Sequence, residues 1–206
     1  MKIEPLVQVE KLIWRGRGLS RLDSGKVVII EPGVFPGEWV KIKITQEKKD
    51  YLRAVCTKIV EPLSGRRPHP CPHSDACGGC LFGVIPNRLQ LHLKHDLLAA
   101  ELFRALPQYS SSINQVPIEV FPSPRGWRYR WRGRIHVQAS RPHFTKMGSH
   151  ELVPLKDCLL LARPLGQGLG EICQRLPEGK HTVAAGPPDG RPVSDSEDEI
   201  VRLPFP

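Results

Sequence analysis

The stretch Cys71-Pro72-His73-Ser74-Asp75-Ala76-Cys77-Gly78-Gly79-Cys80 carries more information about the fold than any other part of this 206-residue chain. It spaces three cysteines as C-x5-C-x2-C, and Cys158 lies far downstream. Thiolates this close together suit a soft metal ion or an iron–sulfur cluster. A distant fourth cysteine would complete such a site and join two segments of the chain. We call Cys71, Cys77, Cys80 and Cys158 the four-cysteine set.

The spacing of the cysteines leaves the metal open. Structural zinc sites often use two C-x2-C pairs, whereas this chain has one pair, one cysteine before it and one distant cysteine. His69 and His73 are close enough in sequence to replace Cys158 as zinc ligands. Zinc and a [4Fe–4S] cluster are therefore equally compatible with the spacing. The other two cysteines, Cys56 and Cys173, are interpreted as ordinary small thiols.

The charge of the chain favours a polyanionic partner. Lys and Arg total 30 against 21 Asp and Glu, a formal net charge of +9, and the surplus lies in the first 150 residues. Nucleic acid is the first candidate for such a partner and an anionic membrane the second. No stretch has the pattern of a signal peptide or the length of a membrane helix, which predicts a cytoplasmic protein without a membrane partner. Its cysteines are then expected to be reduced.

Residues 1–62 show the pattern of a small β-barrel. Lys26–Ile30 is rich in β-branched residues, Trp39–Ile44 alternates apolar residues with lysines, and Tyr51–Val60 predicts a further strand. Trp14–Leu19 is interpreted as a glycine-punctuated turn or loop. Several short strands within about 60 residues are typical of an oligonucleotide-binding (OB-like) barrel.

The second part of the chain predicts a mixture of helix and strand. Asn87–Leu106 predicts a helix with a leucine-rich core face. Trp127–Val137 predicts a strand with aromatic and aliphatic residues on one face and arginines on the other. Because few acids lie nearby in sequence, a phosphate backbone is an attractive partner for these arginines. After Leu165 the pattern weakens: Gly166–Gly170 is rich in glycine, Glu171–Leu176 predicts a short helix, and Ser194–Glu199 is acidic. The fold class is therefore mainly β with an α+β second part.

Three stretches, in this order along the chain, resemble segments of one known family. They are Trp14–Arg21 with Gly25–Val28 and Pro36–Glu38, then Cys71–Cys80, then Tyr129–Val137 with Lys156–Cys158. The family is that of the RNA (uracil-5-)-methyltransferases, which methylate C5 of uridine in ribosomal or transfer RNA, and the likeness is to their N-terminal part. The first stretch resembles the TRAM domain, an RNA-binding β-barrel. The second resembles the cluster loop of the iron–sulfur members, and the third their central domain with the fourth ligand.

The resemblance implies a domain plan, a cofactor and a partner. The plan is a TRAM-like barrel over residues 1–62, a small α/β iron–sulfur central domain over 63–165 and a weakly patterned acidic tail over 166–206. The cofactor is a [4Fe–4S] cluster held by the four-cysteine set, with Zn²⁺ as the alternative. The partner is ribosomal or transfer RNA. The residues expected to contact it, which we call the basic set, are Arg15, Arg17, Arg21, Lys26, Lys41, Lys43, Arg128, Arg130, Arg132 and Arg134.

The chain departs from the family pattern in two respects. Leu81 follows the C-G-G-C where the family commonly has glutamine. The βαβ pattern of an S-adenosylmethionine-binding domain is absent from the sequence, so no catalytic residue and no S-adenosylmethionine site are predicted. We therefore expect an RNA-binding module with a structural cluster that transfers no methyl group by itself. One alternative is a truncated or split methyltransferase whose catalytic half is a separate chain; another is an iron–sulfur redox or iron sensor.

Overall fold

A computed structural model describes residues 4–109, 117–185 and 200–203, and the chain divides into two compact units. Unit 1 comprises Met1–Pro68 with Leu81–Pro122, and unit 2 comprises His69–Cys80 with Ser123–Pro206. These units divide the chain differently from the expected plan of 1–62, 63–165 and 166–206, because the region after the cysteine loop groups with the N-terminal residues. The functions assigned to those three domains stay predictions.

Unit 1 is built on one curled, six-stranded sheet. Its strands are β1 (Leu6–Gln8), β2 (Lys11–Ile13), β3 (Arg17–Arg21), β4 (Val27–Ile30), β5 (Trp39–Glu47) and β6 (Tyr51–Glu61). They lie in the order β1-β5-β6-β4-β3-β2, with β4 and β6 parallel and the other neighbours antiparallel. The edge strands β1 and β2 are consecutive in sequence. Between them, Val9 N donates to Glu38 O and Glu10 N donates to Leu19 O, which brings the two edges together.

Apolar residues from alternate strand positions fill the interior of this sheet, as the sequence pattern predicts. They are Val7, Val9, Val28, Ile30, Val34, Val40, Ile42, Leu52 and Ala54. The interpretation of Trp14–Leu19 as a turn or loop is correct only for its first half: Trp14–Gly16 is a 3-10 turn, but Arg17–Arg21 is strand β3. Gly18 lies within this strand and packs closely against the core. A Cβ at this position would stand 2.7 Å from Val34 Cγ2, so a larger residue would displace that side chain.

The predicted helix is present, but its apolar stripe is not buried as expected. Helix α1 spans Asn87–Ala105, and Leu93 is its one buried residue. Leu98 is 50% exposed and Ala100 is exposed, so the leucine-rich face is only partly covered. The residues that pack with Leu93 in a second small core of unit 1 include Leu12, Phe35 and Ile85. The prediction of a core-facing stripe is therefore correct for Leu93 and for Leu89, which packs against the same core, and wrong for Leu98 and Ala100.

Unit 2 combines a five-stranded sheet with one helix. Its elements are β7 (Arg132–Gln138), β8 (Arg141–Thr145), β9 (Leu152–Pro154), α2 (Arg163–Arg175), β10 (Gly179–Ala185) and β11 (Ile200–Leu203). The strand order is β11-β10-β7-β8-β9; β10 and β11 are parallel, and the other pairs are antiparallel. Helix α2 packs against β8 and β10. The core contains Ile135, Val137, Cys158, Leu160, Leu161, Leu165, Leu169, Ile172, Cys173 and Val183.

Two predictions for this region need correction. The strand expected over Trp127–Val137 begins only at Arg132, and Arg128 has a φ of 61°, which breaks the alternation of faces. After Leu165 only a short helix over Glu171–Leu176 was expected, yet helix α2 begins at Arg163 and contributes four of its side chains to the core. The acidic stretch Ser194–Glu199 lies outside the described residues. In the part of the chain that the structure describes, no helix is both long and apolar enough to cross a bilayer.

Unit 2 is expected to lose stability in mild acid because of His136 on β7. Burial lowers the pKa of His136 below its ordinary value of 6.5, and the charges of Lys180 and His143 lower it further. As the pH falls below 6.5, the unfolded chain takes up this proton before the folded chain does, so the free energy of unfolding decreases. Urea unfolding of the metal-free protein at pH 7.5 and pH 5.5 measures the change. His136→Gln should reduce the difference between the two pH values; an unchanged difference would contradict the assignment.

Candidate metal centre and nucleic-acid surface

The cysteine loop is held against the hairpin of β8 and β9. Cys77 forms an isolated β-bridge with Lys146. Gly78 N donates a hydrogen bond to Thr145 O at 3.2 Å. A Cβ on Gly78 would stand 3.0 Å from Met147 Cα, so any larger residue would push the two backbones apart by a few tenths of an ångström. The Gly-Gly pair thus fixes where Cys77 and the following cysteine lie.

The His69 side chain stabilises the same loop through hydrogen bonds to its backbone. Cys71 N donates to His69 Nδ1 at 3.0 Å, and His69 Nε2 lies 3.2 Å from Cys80 O, to which it donates. The ring also meets Trp127 edge-on, with centroids 5.7 Å apart. Because both ring nitrogens have partners within the loop, His69 is a poor candidate for the zinc ligand considered above. His73 lines the cavity described next, and its Nε2 accepts a hydrogen bond from Lys156 N at 3.4 Å.

The structure brings the four cysteines to one cavity. This cavity has a volume of about 560 Å³, and its walls include the whole four-cysteine set. All of these cysteines are free thiols, as expected; Cys158 is buried and the other three are half-buried. Arg130, Arg134 and Lys146 contribute basic groups to the same walls. The sequence therefore identified residues that meet in space although Cys158 is distant along the chain.

The thiols lie near enough to influence each other's ionisation. Burial raises the pKa of Cys80 to about 12, and negative charge on Cys158, Cys71 and Cys77 contributes to the rise, while Arg130 opposes it. Burial also raises the pKa of Cys77, and charge on Cys158 and Cys71 adds to it. A set of thiols in this environment loses its protons readily only when a cation replaces them. The raised pKa values keep the Cys77 and Cys80 thiols protonated near neutral pH, so neither is a reactive thiolate by itself.

The cavity walls carry four thiols, whose chemistry suits a soft metal ion or an iron–sulfur cluster. Among the described residues, no group of three or more His, Cys, Asp or Glu side chains is arranged to hold one metal ion, so no metal site as such is visible. In a [4Fe–4S] cluster each cysteine binds a different iron, and its thiolates therefore stand further apart than the ligands of one ion. Four soft thiols around one cavity are chemically suited to that arrangement.

The basic set divides between the two units, and its members in unit 1 are on the sheet and its loops. Lys41 and Lys43 are exposed on β5, and Arg15 is exposed next to Trp14, whose side chain is 63% exposed. The others have acidic neighbours: Arg17 lies 3.5 Å from Glu31, Arg21 lies 3.8 Å from Glu10, and Lys26 lies 2.5 Å from Glu47. Lys41, Lys43 and Arg15 are therefore the unit 1 members best placed for a polyanion.

In unit 2 the predicted row of arginines is divided. Arg130 and Arg134 are exposed and line the cavity, and Arg130 lies 5.7 Å from the centroid of the Tyr129 ring. Arg132 is half-buried on β7. Arg128 instead turns its guanidinium to the Asp157 carboxylate, a partner that the sequence analysis did not find. The spacing of 29 residues between Arg128 and Asp157 offers no local pattern that would reveal the pair.

The start of the chain matches a known domain family. Residues 4–57 match the TRAM domain, which corresponds to the curled sheet of unit 1. This agrees with the resemblance drawn from Trp14–Arg21 and Pro36–Glu38. The coarse prediction of a TRAM-like barrel at the start of a mainly β chain is confirmed.

Over most of its length the chain is similar to RNA methyltransferases. It is 38% identical over 178 residues to an uncharacterized RNA methyltransferase of Aquifex aeolicus, covering 85% of this chain and 40% of the relative. It is 32% identical over 167 residues to the 23S rRNA (uracil(1939)-C(5))-methyltransferase RlmD of Shewanella amazonensis, covering 78% and 36%. The chain thus spans about two fifths of the length of the curated relatives that it matches.

A solved structure gives a weaker likeness. The tRNA (uracil-54, C5)-methyltransferase of Pyrococcus abyssi, in complex with S-adenosyl-L-homocysteine, aligns with 87% of this chain and 45% of that chain. The identity is 17% and the TM-score is 0.49, too low to support an argument about function.

Proposed function

We propose that this chain is the RNA-binding, [4Fe–4S]-containing portion of an RNA (uracil-5-)-methyltransferase-like protein. The match of residues 4–57 to the TRAM domain carries the RNA-binding part of this proposal. Similarity to a 23S rRNA methyltransferase makes structured ribosomal RNA the first ligand to test, and transfer RNA the second. The positive charge of the chain supports a polyanionic partner.

Unit 1 offers two kinds of RNA contact. The exposed lysines of β5, Lys41 and Lys43, suit phosphate groups, which dominate affinity and make it dependent on salt. The exposed ring of Trp14, which precedes the exposed Arg15 in the chain, suits stacking on an unpaired base. The sheet surface would then fix the backbone of the RNA while the 3-10 turn engages a base.

The salt dependence of RNA binding should show whether Lys41 and Lys43 contact phosphate groups. The protein is expected to bind a structured rRNA fragment with an affinity that falls steeply as salt rises. The double variant K41Q/K43Q should bind less tightly at low salt, and the slope of log affinity against log salt should decrease by about one to two. K48Q/K49Q, which removes two exposed lysines at the β5–β6 turn, is the matched control. A salt-independent affinity, or equal slopes for both double variants, would contradict the proposal.

The four-cysteine set supports the cofactor part of the proposal through its shared cavity and its chemistry. When bound, a [4Fe–4S] cluster would join the cysteine loop to the segment after β9, and we assign it a structural role. An anaerobic visible spectrum with iron, sulfide and zinc analysis of purified protein tests this. A colourless, zinc-loaded protein would favour the zinc alternative. RNA affinity that changes when the cluster is removed and restored would instead favour the sensor hypothesis.

The expectation that this chain transfers no methyl group by itself stays a prediction, as does a separate catalytic chain as partner. Neither receives support from the comparisons. Incubating the chain with S-adenosylmethionine carrying a labelled methyl group and with unmodified rRNA tests the first directly. Label in the RNA would overturn it.

A further inference from the structure

Arg128 has a backbone conformation that is costly for its residue type. Its φ is 61°, in the left-handed region that non-glycine residues occupy at a cost of about 1–2 kcal/mol. Such conformations persist where the surroundings hold them in place, and they concentrate at functional sites. Arg128 N donates to Leu159 O at 2.8 Å, and Arg130 N donates to Leu160 O at 2.9 Å. The backbone of Arg128 is thus fixed against the segment that carries Cys158.

The side chain of Arg128 reaches the same segment. Nη1 donates to Asp157 Oδ1 at 2.8 Å and to Cys158 O at 3.0 Å, and Nη2 donates to Asp157 Oδ2. Asp157 Oδ1 also accepts a hydrogen bond from Cys158 N at 2.7 Å. Both ends of the Cys158 residue are therefore held, its N–H by the carboxylate and its carbonyl by the guanidinium. A bidentate arginine–carboxylate pair of this kind fixes geometry as well as adding energy.

Helix α2 packs against the ion pair of Arg128 and Asp157 through Gly166. A Cβ on Gly166 would stand 2.7 Å from Arg128 Nη1, 2.7 Å from Asp157 Oδ1 and 3.4 Å from Cys158 O. Gly166 is buried, so the helix backbone lies directly against the ion pair. The Arg128 side chain is 19% exposed as a result. Three separate segments of unit 2 therefore meet around the backbone of one cysteine.

We propose that Arg128, through Asp157, is a positioning residue that orients the Cys158 thiol toward the cavity shared with the other three cysteines. This rests on the proposed function in so far as the cavity holds a cluster. The positions of the remaining cysteines come from their short loop, with its two glycines and His69. Cys158 begins a turn, which Leu161 N closes by donating to Cys158 O at 3.1 Å, and the ion pair of Arg128 and Asp157 additionally holds its N–H and its carbonyl. An ion pair that served packing alone would not need to bond both ends of the Cys158 main chain.

Arg128→Lys is the main test, because it keeps the charge and loses the fork that bonds two acceptors at once. Arg175→Lys, at the exposed end of α2, is the matched control. The first measurement uses metal-free protein and iodoacetamide, with alkylation of each cysteine followed by peptide mass spectrometry. Arg128→Lys should raise the alkylation rate of Cys158 by about tenfold. Cys173, buried in the same core, should change little, since it reports general loosening of unit 2.

The second measurement is the iron retained after anaerobic reconstitution and challenge with a chelator. Loss of a residue that orients a metal ligand typically weakens binding by about 10- to 100-fold, and Arg128→Lys should fall in this range while Arg175→Lys stays at the wild-type value. Equal acceleration of Cys158 and Cys173 in the first measurement would overturn the positioning role. Wild-type protein that binds no iron would overturn the proposed cluster, while the ratio of the two alkylation rates would still decide the role of Arg128.

Discussion

Replacing Glu38 by alanine is expected to destabilise unit 1 by about 3–5 kcal/mol, because it leaves a charged partner largely buried and unpaired. The Glu38 side chain is fully buried. It accepts hydrogen bonds from Arg66 Nε at 2.6 Å, from Phe35 N at 2.9 Å and from Leu63 N at 3.1 Å. Arg66 also donates to Gly33 O at 2.7 Å. One carboxylate thus joins the turn before β5 to the segment after β6.

Urea unfolding, with hydrogen exchange of the unit 1 amides as the local readout, measures this loss. Glu38→Gln, which keeps the shape and some hydrogen bonds, should lose less than Glu38→Ala. The double variant E38A/R66M should recover part of the loss, since it no longer buries an unpaired guanidinium. Glu31→Ala, which breaks the 3.5 Å contact with Arg17 at the surface, should cost less than about 1 kcal/mol. Equal losses for Glu38→Ala and Glu31→Ala would contradict the role given to Glu38.

Glu38 shows which parts of the fold could be predicted from the sequence and which could not. Pro36–Glu38 was identified as part of a TRAM-like motif, and the turn and the following strand β5 are where the pattern put them. Alternation of apolar residues is a local property, which is why Val27–Ile30 and Trp39–Glu47 could be predicted closely. The partner of Glu38 lies 28 residues away, and no local periodicity indicates such a pair.

The same limit explains the errors in unit 2. Alternation over Trp127–Val137 suggested one continuous strand, but the ion pair of Arg128 with Asp157 holds its first residues in another conformation. The glycine-rich stretch Gly166–Gly170 gave no clear pattern, and a short helix was expected only over Glu171–Leu176, whereas the helix begins at Arg163 and Gly166 packs closely within it. In both places a contact distant in sequence overrides the local propensity. The four-cysteine set was found because thiol chemistry, unlike an ion pair, makes its members recognisable without their partners.

Serine replacement within the four-cysteine set is the second large effect that we expect. Under the proposed [4Fe–4S] assignment, Cys71→Ser, Cys77→Ser, Cys80→Ser and Cys158→Ser should each lower the iron content after anaerobic purification by about tenfold or more. Replacing a residue that only supports a metal ligand typically lowers metal affinity by about 10- to 100-fold. Replacing a ligand itself should lower it at least as much. Cys56→Ser is the matched control, since Cys56 is a half-buried thiol of the unit 1 sheet and outside the set. Iron, sulfide and visible absorption are measured on each variant.

The pattern among the variants also separates the two candidate metals. A cluster ligated by the four cysteines requires Cys158 and is indifferent to His73, because imidazole is not among its ligands. A zinc site of three loop cysteines and one histidine would show the reverse, with His73→Ala losing the metal and Cys158→Ser retaining it. His73 lines the same cavity as Cys158, so the two replacements probe neighbouring positions. Iron that survives Cys158→Ser at the wild-type level would remove Cys158 from the ligand set and with it the proposed link between the two segments.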